Sequence, residues 1–347
     1  MKGMRGVALG VGFLIAATGL EAQETHRLGG SSVAIYNLAG EVEVVRGTGS
    51  EVVVSLTRGG ADAQRLSVDV REVRGRETLV VHYPADEIVY DRGRRGSYNT
   101  TMRIRDDGTW GGGISGGDRV RVSSSGSGLE AHANLRVEVP NGRAVAVFLA
   151  VGEATARGLN ADVELDIGSG AVEVADVQGD VSVDTGSGGV QVSGVQGELM
   201  VDTGSGSITI DGVRGPALSV DTGSGRVDVS DVEAEVVEVD TGSGSVDLLR
   251  VSAADVMVDT GSGAVEVEVL TAVDRVEIDT GSGSITLRVP SGVNAEIEAD
   301  SGSGGVDLDI PMQLRTQRRN YIRGTLGDGR GRITLDTGSG RIRVIGN

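Results

Sequence analysis

The chain contains no cysteine. Disulfides, thiolate metal sites and a lipid-modified cysteine anchor are therefore excluded. Aromatic residues make up only 2% of it, with a single tryptophan. That scarcity argues against a globular core filled by Phe, Tyr and Trp, and it leaves little for sugar binding by ring stacking. Positive charge is also short: 32 Lys and Arg stand against 50 Asp and Glu, for a net −18 at pH 7. A nucleic-acid partner is disfavoured by that sign, and no G-x-x-x-x-G-K-[ST] string is present to cradle a phosphate. The longest apolar run, from about Val7 to Leu20, is shorter than the ~20 residues a membrane helix needs.

That run follows Lys2 and Arg5 and ends in small residues, the layout of a secretory signal peptide cut after Ala22. Residues 1–22 are accordingly expected to be removed, leaving no stable membrane span. An exported chain without cysteines suits a bacterial periplasm, an outer surface or secretion. Glycine is abundant, at 57 residues, and Val, Ile and Leu supply the material for a narrow stacked core. Charge is segregated along the chain. Between Ala161 and Ile310 there are 30 Asp or Glu and 5 Arg, a net of −25 that leaves the remainder positive.

A repeat decides the expected fold. The string D-[TIS]-G-S-G begins at Asp166, Asp184, Asp202, Asp221, Asp240, Asp259, Asp279, Asp300 and Asp336, with successive spacings of 18, 18, 19, 19, 19, 20, 21 and 36. Each unit holds two short alternating strands punctuated by Gly-rich corners, as in "SITIDGVRGPALSVDTGSG" from Ser207 to Gly225. Units this short bury nothing alone and must stack. The expectation is an all-β, parallel β-solenoid of 18–21-residue coils with an irregular β N-terminal cap. An antiparallel meander of hairpins is the competing arrangement. The chain divides into 23–150, an N-terminal β region, 151–310, the repeat solenoid, and 311–347, a basic loop with a capping coil. Within the first region a Gly- and Arg-rich insertion, 87–118, reads as a long hairpin or mobile loop holding Trp110.

Taken in order, "SVAIYNLAGEVEV", "LRVEVPNG", the stacked "DTGSG" units and "GTLGDGRGRITLDTGSGRIRVIG" resemble a bacterial putative-adhesin family. Its members are exported or membrane-linked β-strand-repeat proteins whose domain has no known function. The resemblance covers about Ser31 to Asn347. It implies a β-solenoid at the cell envelope, with some relatives tied to envelope stress, and brings no catalytic residues.

The string "DTGS" is also how an aspartic protease writes its catalytic loop, but that dyad needs two loops face to face sharing a proton. Nine copies at coil spacing sit side by side, so no catalytic residue is assigned. A polysaccharide-acting β-helix enzyme would place its carboxylates where the repeat breaks, whereas here the carboxylates are the repeat. His26, His82 and His132 lie outside the coils without ligand spacing. If Val220 points inward, Asp221 points out and Thr222 in, which stands the aspartates about 5 Å apart. There each pair repels by roughly 0.8 kcal/mol even at the dielectric of water. The expected remedy is local: each of the nine aspartates caps its own G-S-G turn. The rival is a column of loosely bound Ca²⁺ on Asp184, Asp202, Asp221, Asp240, Asp259 and Asp279; no other cofactor is expected. The function read from all this is non-catalytic: an adhesin or interaction scaffold for cell-envelope or surface components. A sensor or regulator of envelope stress is the alternative, and a polysaccharide-acting enzyme a more distant one.

Overall fold

The computed structural model describes residues 23–91, 98–111 and 116–346. The expected signal peptide lies outside the described residues, as do parts of the 87–118 insertion. Among the described residues there is no α-helix, only a short 3₁₀ turn at Ala63–Arg65. The chain winds between two long sheets, one of 15 strands and one of 14. We call the first the aspartate sheet and the second the opposite sheet.

One coil shows why. In Leu199–Thr203, Leu199, Val201 and Thr203 face inward while Met200 and Asp202 face out. After the corner, Ile208–Arg214 runs back in the opposite sheet with Ile208, Ile210 and Val213 inward. Those five apolar side chains are 0–1% exposed, each worth about 1.5–3 kcal/mol once buried. The next coil repeats the strands in parallel and in register, Val201 against Val220 and Asp202 against Asp221. A one-residue slip would turn every valine outward, so the register is fixed by burial. The parallel β-solenoid is therefore the fold, and the antiparallel meander is not.

The parallel ladder starts well before residue 151. Ala144–Val151 pairs in parallel with both Ser32–Ala39 and Asp162–Ser169, so the N-terminal strands are rungs of the same stack. Antiparallel strands close that end: Ser67–Val73 against Arg76–His82 on one sheet, and Glu24–Leu28 against Val52–Gly59 on the other. Such caps cover edges that would otherwise template further pairing.

The other end accounts for the 36-residue gap. After Ala295–Ser301 and Val306–Asp309, the chain makes a hairpin, Gln313–Gln317 with Tyr321–Leu326, laid antiparallel on Ala295–Ser301. It then turns back, and Gly331–Thr337 enters between Arg275–Thr280 and Ala295–Ser301. Ile342–Gly346 does the same in the opposite sheet, between Ile285–Val289 and Val306–Asp309. The basic stretch expected as a loop is thus a strand pair covering the edge, and the last signature lies one rung inside the end.

Of the two readings of the 87–118 insertion, its described part gives the long hairpin and not the mobile loop: Asn99–Ile104 pairs antiparallel with Asp118–Ser123. Glu87–Val89, Asn99–Ile104 and Asp118–Ser123 join Leu129–Glu130 in a four-stranded sheet. This layer lies on the outer face of the aspartate sheet at its N-terminal rungs, where Ile88, Val120 and Val122 pack with Tyr36, Val80 and Phe148.

Candidate functional site

The register gathers all nine signature aspartates into one column on the outer face of the aspartate sheet. Asp166 stands beside Asp184, Asp184 beside Asp202, and so on through Asp221, Asp240, Asp259 and Asp279. The column ends Asp279, Asp336, Asp300, because the last coil is threaded inside. The residue after each aspartate points inward as alternation requires: Ile167, Ser301 and the seven threonines Thr185, Thr203, Thr222, Thr241, Thr260, Thr280 and Thr337 are fully buried.

The corner amides do not go to the aspartates. The Gly204 N–H donates to the Thr185 carbonyl of the preceding coil and the Gly206 N–H to the Ser224 carbonyl of the following one, each at 3.0 Å. Among the described residues no side-chain hydrogen bond reaches any of the nine carboxylates, so the turn-capping geometry expected for them is not formed. The cause is direction: a strand side chain stands perpendicular to its sheet, while the corner N–H groups lie along the stacking axis. The glycines recur for a steric reason instead. Gly206 has φ +150°, and a Cβ there would sit 1.9 Å from the Gly188 oxygen one coil back.

Electrostatics along the column follow. From Asp162–Ser169 to Asp255–Thr260, no strand of this sheet contains Arg or Lys. Burial raises the pKa values of Asp184, Asp202, Asp221, Asp279 and Asp336 above the ordinary carboxylate value. A neighbouring aspartate adds to the rise in all of these but Asp184. Asp166 moves furthest, to about 6, through burial first and then the charges of Asp184 and Glu164. It is the rung on which Gly111 of the overlying layer rests, for a Cβ on Gly111 would lie 2.8 Å from Asp166 Oδ2. Among the described residues no group of three or more His, Cys, Asp or Glu converges on a point where a metal ion could sit. A ladder offers one carboxylate per rung, whereas Ca²⁺ takes six to eight oxygens.

Beyond Asp166 the column passes to two aromatic residues and then to Val80. Phe148 is in register with Asp166, and Tyr36 with Phe148. Their rings stack at 4.3 Å between centroids, and Trp110 meets Tyr36 edge-on at 5.0 Å. Beside them opens a pocket of about 260 Å³, lined by Ala34, Tyr36, Arg74, Arg76, Trp110, Phe148 and Glu164 among others. Alternation alone does not single out these residues, since Tyr36 and Phe148 fill ordinary outward positions. The available signal is the break in the repeat: aromatic side chains at the register positions that later coils give to aspartate. Of the histidines, His26 pairs with Glu24 at 2.8 Å and His132 lies against the Tyr90 ring.

The sequence model of the Toastrack DUF4097 family matches residues 99–345. A search of curated proteins gives no match. Among solved structures, a putative adhesin from Bacteroides fragilis aligns at 10% identity over 94% of this chain and 98% of its own, with a TM-score of 0.36. A putative cell adhesion protein from Clostridium sporogenes aligns at 10% identity over 94% and 99% of the two chains, with a TM-score of 0.19.

Proposed function

The chain belongs to the Toastrack DUF4097 family, and on that premise we propose that it is an exported, non-catalytic β-solenoid serving as an adhesive or interaction scaffold at the bacterial cell envelope. The observation that carries this reading is the aspartate column, one chemistry repeated in register over nine rungs of a rigid sheet. A periodic face suits contact with an extended or repetitive partner, because each rung adds the same increment of affinity. The same geometry argues against an aspartic-protease dyad, whose two carboxylates must converge on one proton. Here neighbouring aspartates stand in separate, parallel strands. Among the described residues no helix is long and apolar enough to cross a membrane.

The test is cosedimentation of the purified chain with isolated envelope fragments at low and high salt. The wild-type chain is expected in the pellet at low salt and in the supernatant at high salt, as charge-mediated contact requires. A variant with Asp202, Asp221 and Asp240 changed to Asn is expected to remain largely soluble. Wild-type protein that stays in the supernatant under every condition would refute the scaffold reading.

A further inference from the structure

The acidic repeat is broken at one place, and that place is concave. At the head of the column the outward positions are Tyr36 and Phe148 where later rungs have aspartate. In the neighbouring outward column two small residues, Ala34 and Ala146, stand between Thr78 and Glu164. Tall side chains beside short ones leave a hollow. The Trp110 edge closes one side of it, and the turn of the hairpin joining Ser67–Val73 to Arg76–His82 closes another.

That turn carries an unusual residue. Arg74 and Gly75 both have positive φ, +54° and +77°, the conformation of a two-residue hairpin turn that normally takes Asn-Gly or Asp-Gly. Arginine in the left-handed region costs about 1–2 kcal/mol. Arg74 is exposed, lines the pocket and, among the described residues, forms no ion pair. Arg76 also lines the pocket and is 3.3 Å from Glu164.

The Tyr36 ring is buried to 7% exposure, yet among the described residues its hydroxyl makes no hydrogen bond. That hydroxyl lies within electrostatic reach of Arg74, Arg76, Arg105 and Glu164. Tyr36 lines the cavity, and a phenol there can both donate to and accept from a bound molecule. The hollow also continues. Through Arg76 and Glu164 it adjoins a second depression of about 370 Å³, lined by Asp162, Asp180, Ser182, Glu198 and Met200 among others.

We propose that this pocket binds the carboxylate-bearing sugar of an envelope glycan, and that the adjoining depression takes its uncharged neighbour. The free Arg74 guanidinium pairs with the sugar carboxylate, a charge-assisted contact that a planar fork makes in two places. The Tyr36 hydroxyl and the Glu164 carboxylate meet sugar hydroxyls, and the edges of Trp110 and Phe148 supply the apolar wall on which the ring's C–H groups rest. In the second depression Asp162, Asp180, Ser182 and Glu198 can only accept or share protons with hydroxyls. A second anionic sugar would be repelled there, which is why the ligand alternates acidic and neutral units. This assignment rests on the scaffold reading for its choice of a glycan, but it concerns a surface distinct from the aspartate column.

The only tryptophan in the chain lines the pocket, so its fluorescence reports occupancy. The probe is a tetrasaccharide of alternating glucuronic acid and N-acetylglucosamine, with the neutral N-acetylglucosamine tetrasaccharide as the control. Binding of the acidic probe is expected to change Trp110 emission and to show heat in titration calorimetry, and the neutral probe is expected to bind at least tenfold more weakly. Arg74→Gly, which suits the turn and leaves the fold intact, is expected to lower affinity for the acidic probe tenfold or more. Tyr36→Phe, which keeps the ring stack, is expected to lower it several-fold. Absence of binding at millimolar acidic probe overturns the proposal, as does equal binding by Arg74→Gly or by the neutral control. A chain that sediments with envelope fragments while ignoring the tetrasaccharide would end this proposal and leave the scaffold reading standing. The converse result would do the reverse.

Discussion

The two outer faces of the solenoid are built from the same coils, yet they treat charge in opposite ways. On the opposite sheet, carboxylates stand beside arginines: Arg157 with Glu173 and Arg250 with Asp231 at 2.5 Å, Arg226 with Asp228 at 2.6 Å, and Arg288 with Glu266 at 3.1 Å. On the aspartate sheet the column runs without a cation from Asp184 to Asp259. The consequence appears in the pKa values. The Arg250 guanidinium bound to Asp231 holds that carboxyl below the ordinary value, whereas burial and neighbouring charge hold Asp202 above it.

The largest expected effect comes from the corner the two faces share. Gly206→Val places a side chain where even a Cβ meets the Gly188 oxygen at 1.9 Å, on a backbone at φ +150°. It should cost about 3 kcal/mol or more, since neither coil can move without breaking its neighbour's ladder. Urea unfolding measures it. A loss under about 1 kcal/mol would mean that the corners are looser than their stacking implies and that the two faces are not locked together.

Next in size is Asp166, the most buried rung. Its folded pKa, about 6, lies above the ordinary 3.8, so the fold disfavours its charged form. That penalty is fully present above pH 6, shrinks as pH falls through 6, and is gone below the unfolded value. Asp166→Asn should therefore raise stability by about 2 kcal/mol at pH 7.5 and by almost nothing at pH 3.5. Thermal melts of both proteins across that range decide it; a gain that does not depend on pH would place its cause in packing.

The buried threonines sharpen the comparison along the stack. Thr203 Oγ1 has no hydrogen-bond partner, while Thr337 Oγ1 donates to the Gly283 carbonyl at 2.9 Å. Valine has nearly the same shape. Thr203→Val should be neutral or stabilising by up to about 1 kcal/mol, and Thr337→Val destabilising by about 1 kcal/mol. Equal changes at the two positions would mean that the hydroxyls do not differ in their surroundings.

Much of this architecture is legible in the sequence because stacking amplifies local signals. Period-two alternation places Asp221 outward and Thr222 inward, and the 18- to 21-residue spacing makes every coil repeat that choice. What the repeat hides is the third dimension. The corner glycines satisfy both a turn argument and a stacking argument, and only the Gly188 oxygen against Gly206 tells them apart. A second column was equally hidden. Gly158, Asp176, Gly194, Gly212, Asp231 and Arg250 all have positive φ inside strands of the opposite sheet, where they interrupt alternation without breaking the ladder. Small or polar residues favour that conformation, but in sequence they look like ordinary outward positions. The overlying four-stranded layer was unreadable for another reason: its strands are short and pair across long separations, as Leu129 does with Ile88. The aromatic pocket depends on that layer, so it too was beyond the sequence.

The smallest effect gives the sharpest contrast, because one chemical change is made on both faces. Asp231→Asn removes the partner of Arg250, which contacts both carboxylate oxygens at 2.5 and 2.7 Å, and asparagine tolerates the positive φ of 57° found there. Asp202→Asn removes one of a row of like charges that has no cation beside it. The first substitution should lower the melting temperature slightly and the second raise it slightly, since exposed charge interactions are weak. Their pH dependences should also part. The Asp231 contribution is present above the unfolded carboxylate value and is lost as pH falls through its lower folded value. The Asp202 penalty is present at neutral pH and fades as pH falls through its higher one. High salt should shrink both differences, since both charges are exposed. Two shifts of the same sign would mean that the arginines of the opposite sheet do not neutralise it, and the contrast between a balanced face and a bare one would fail.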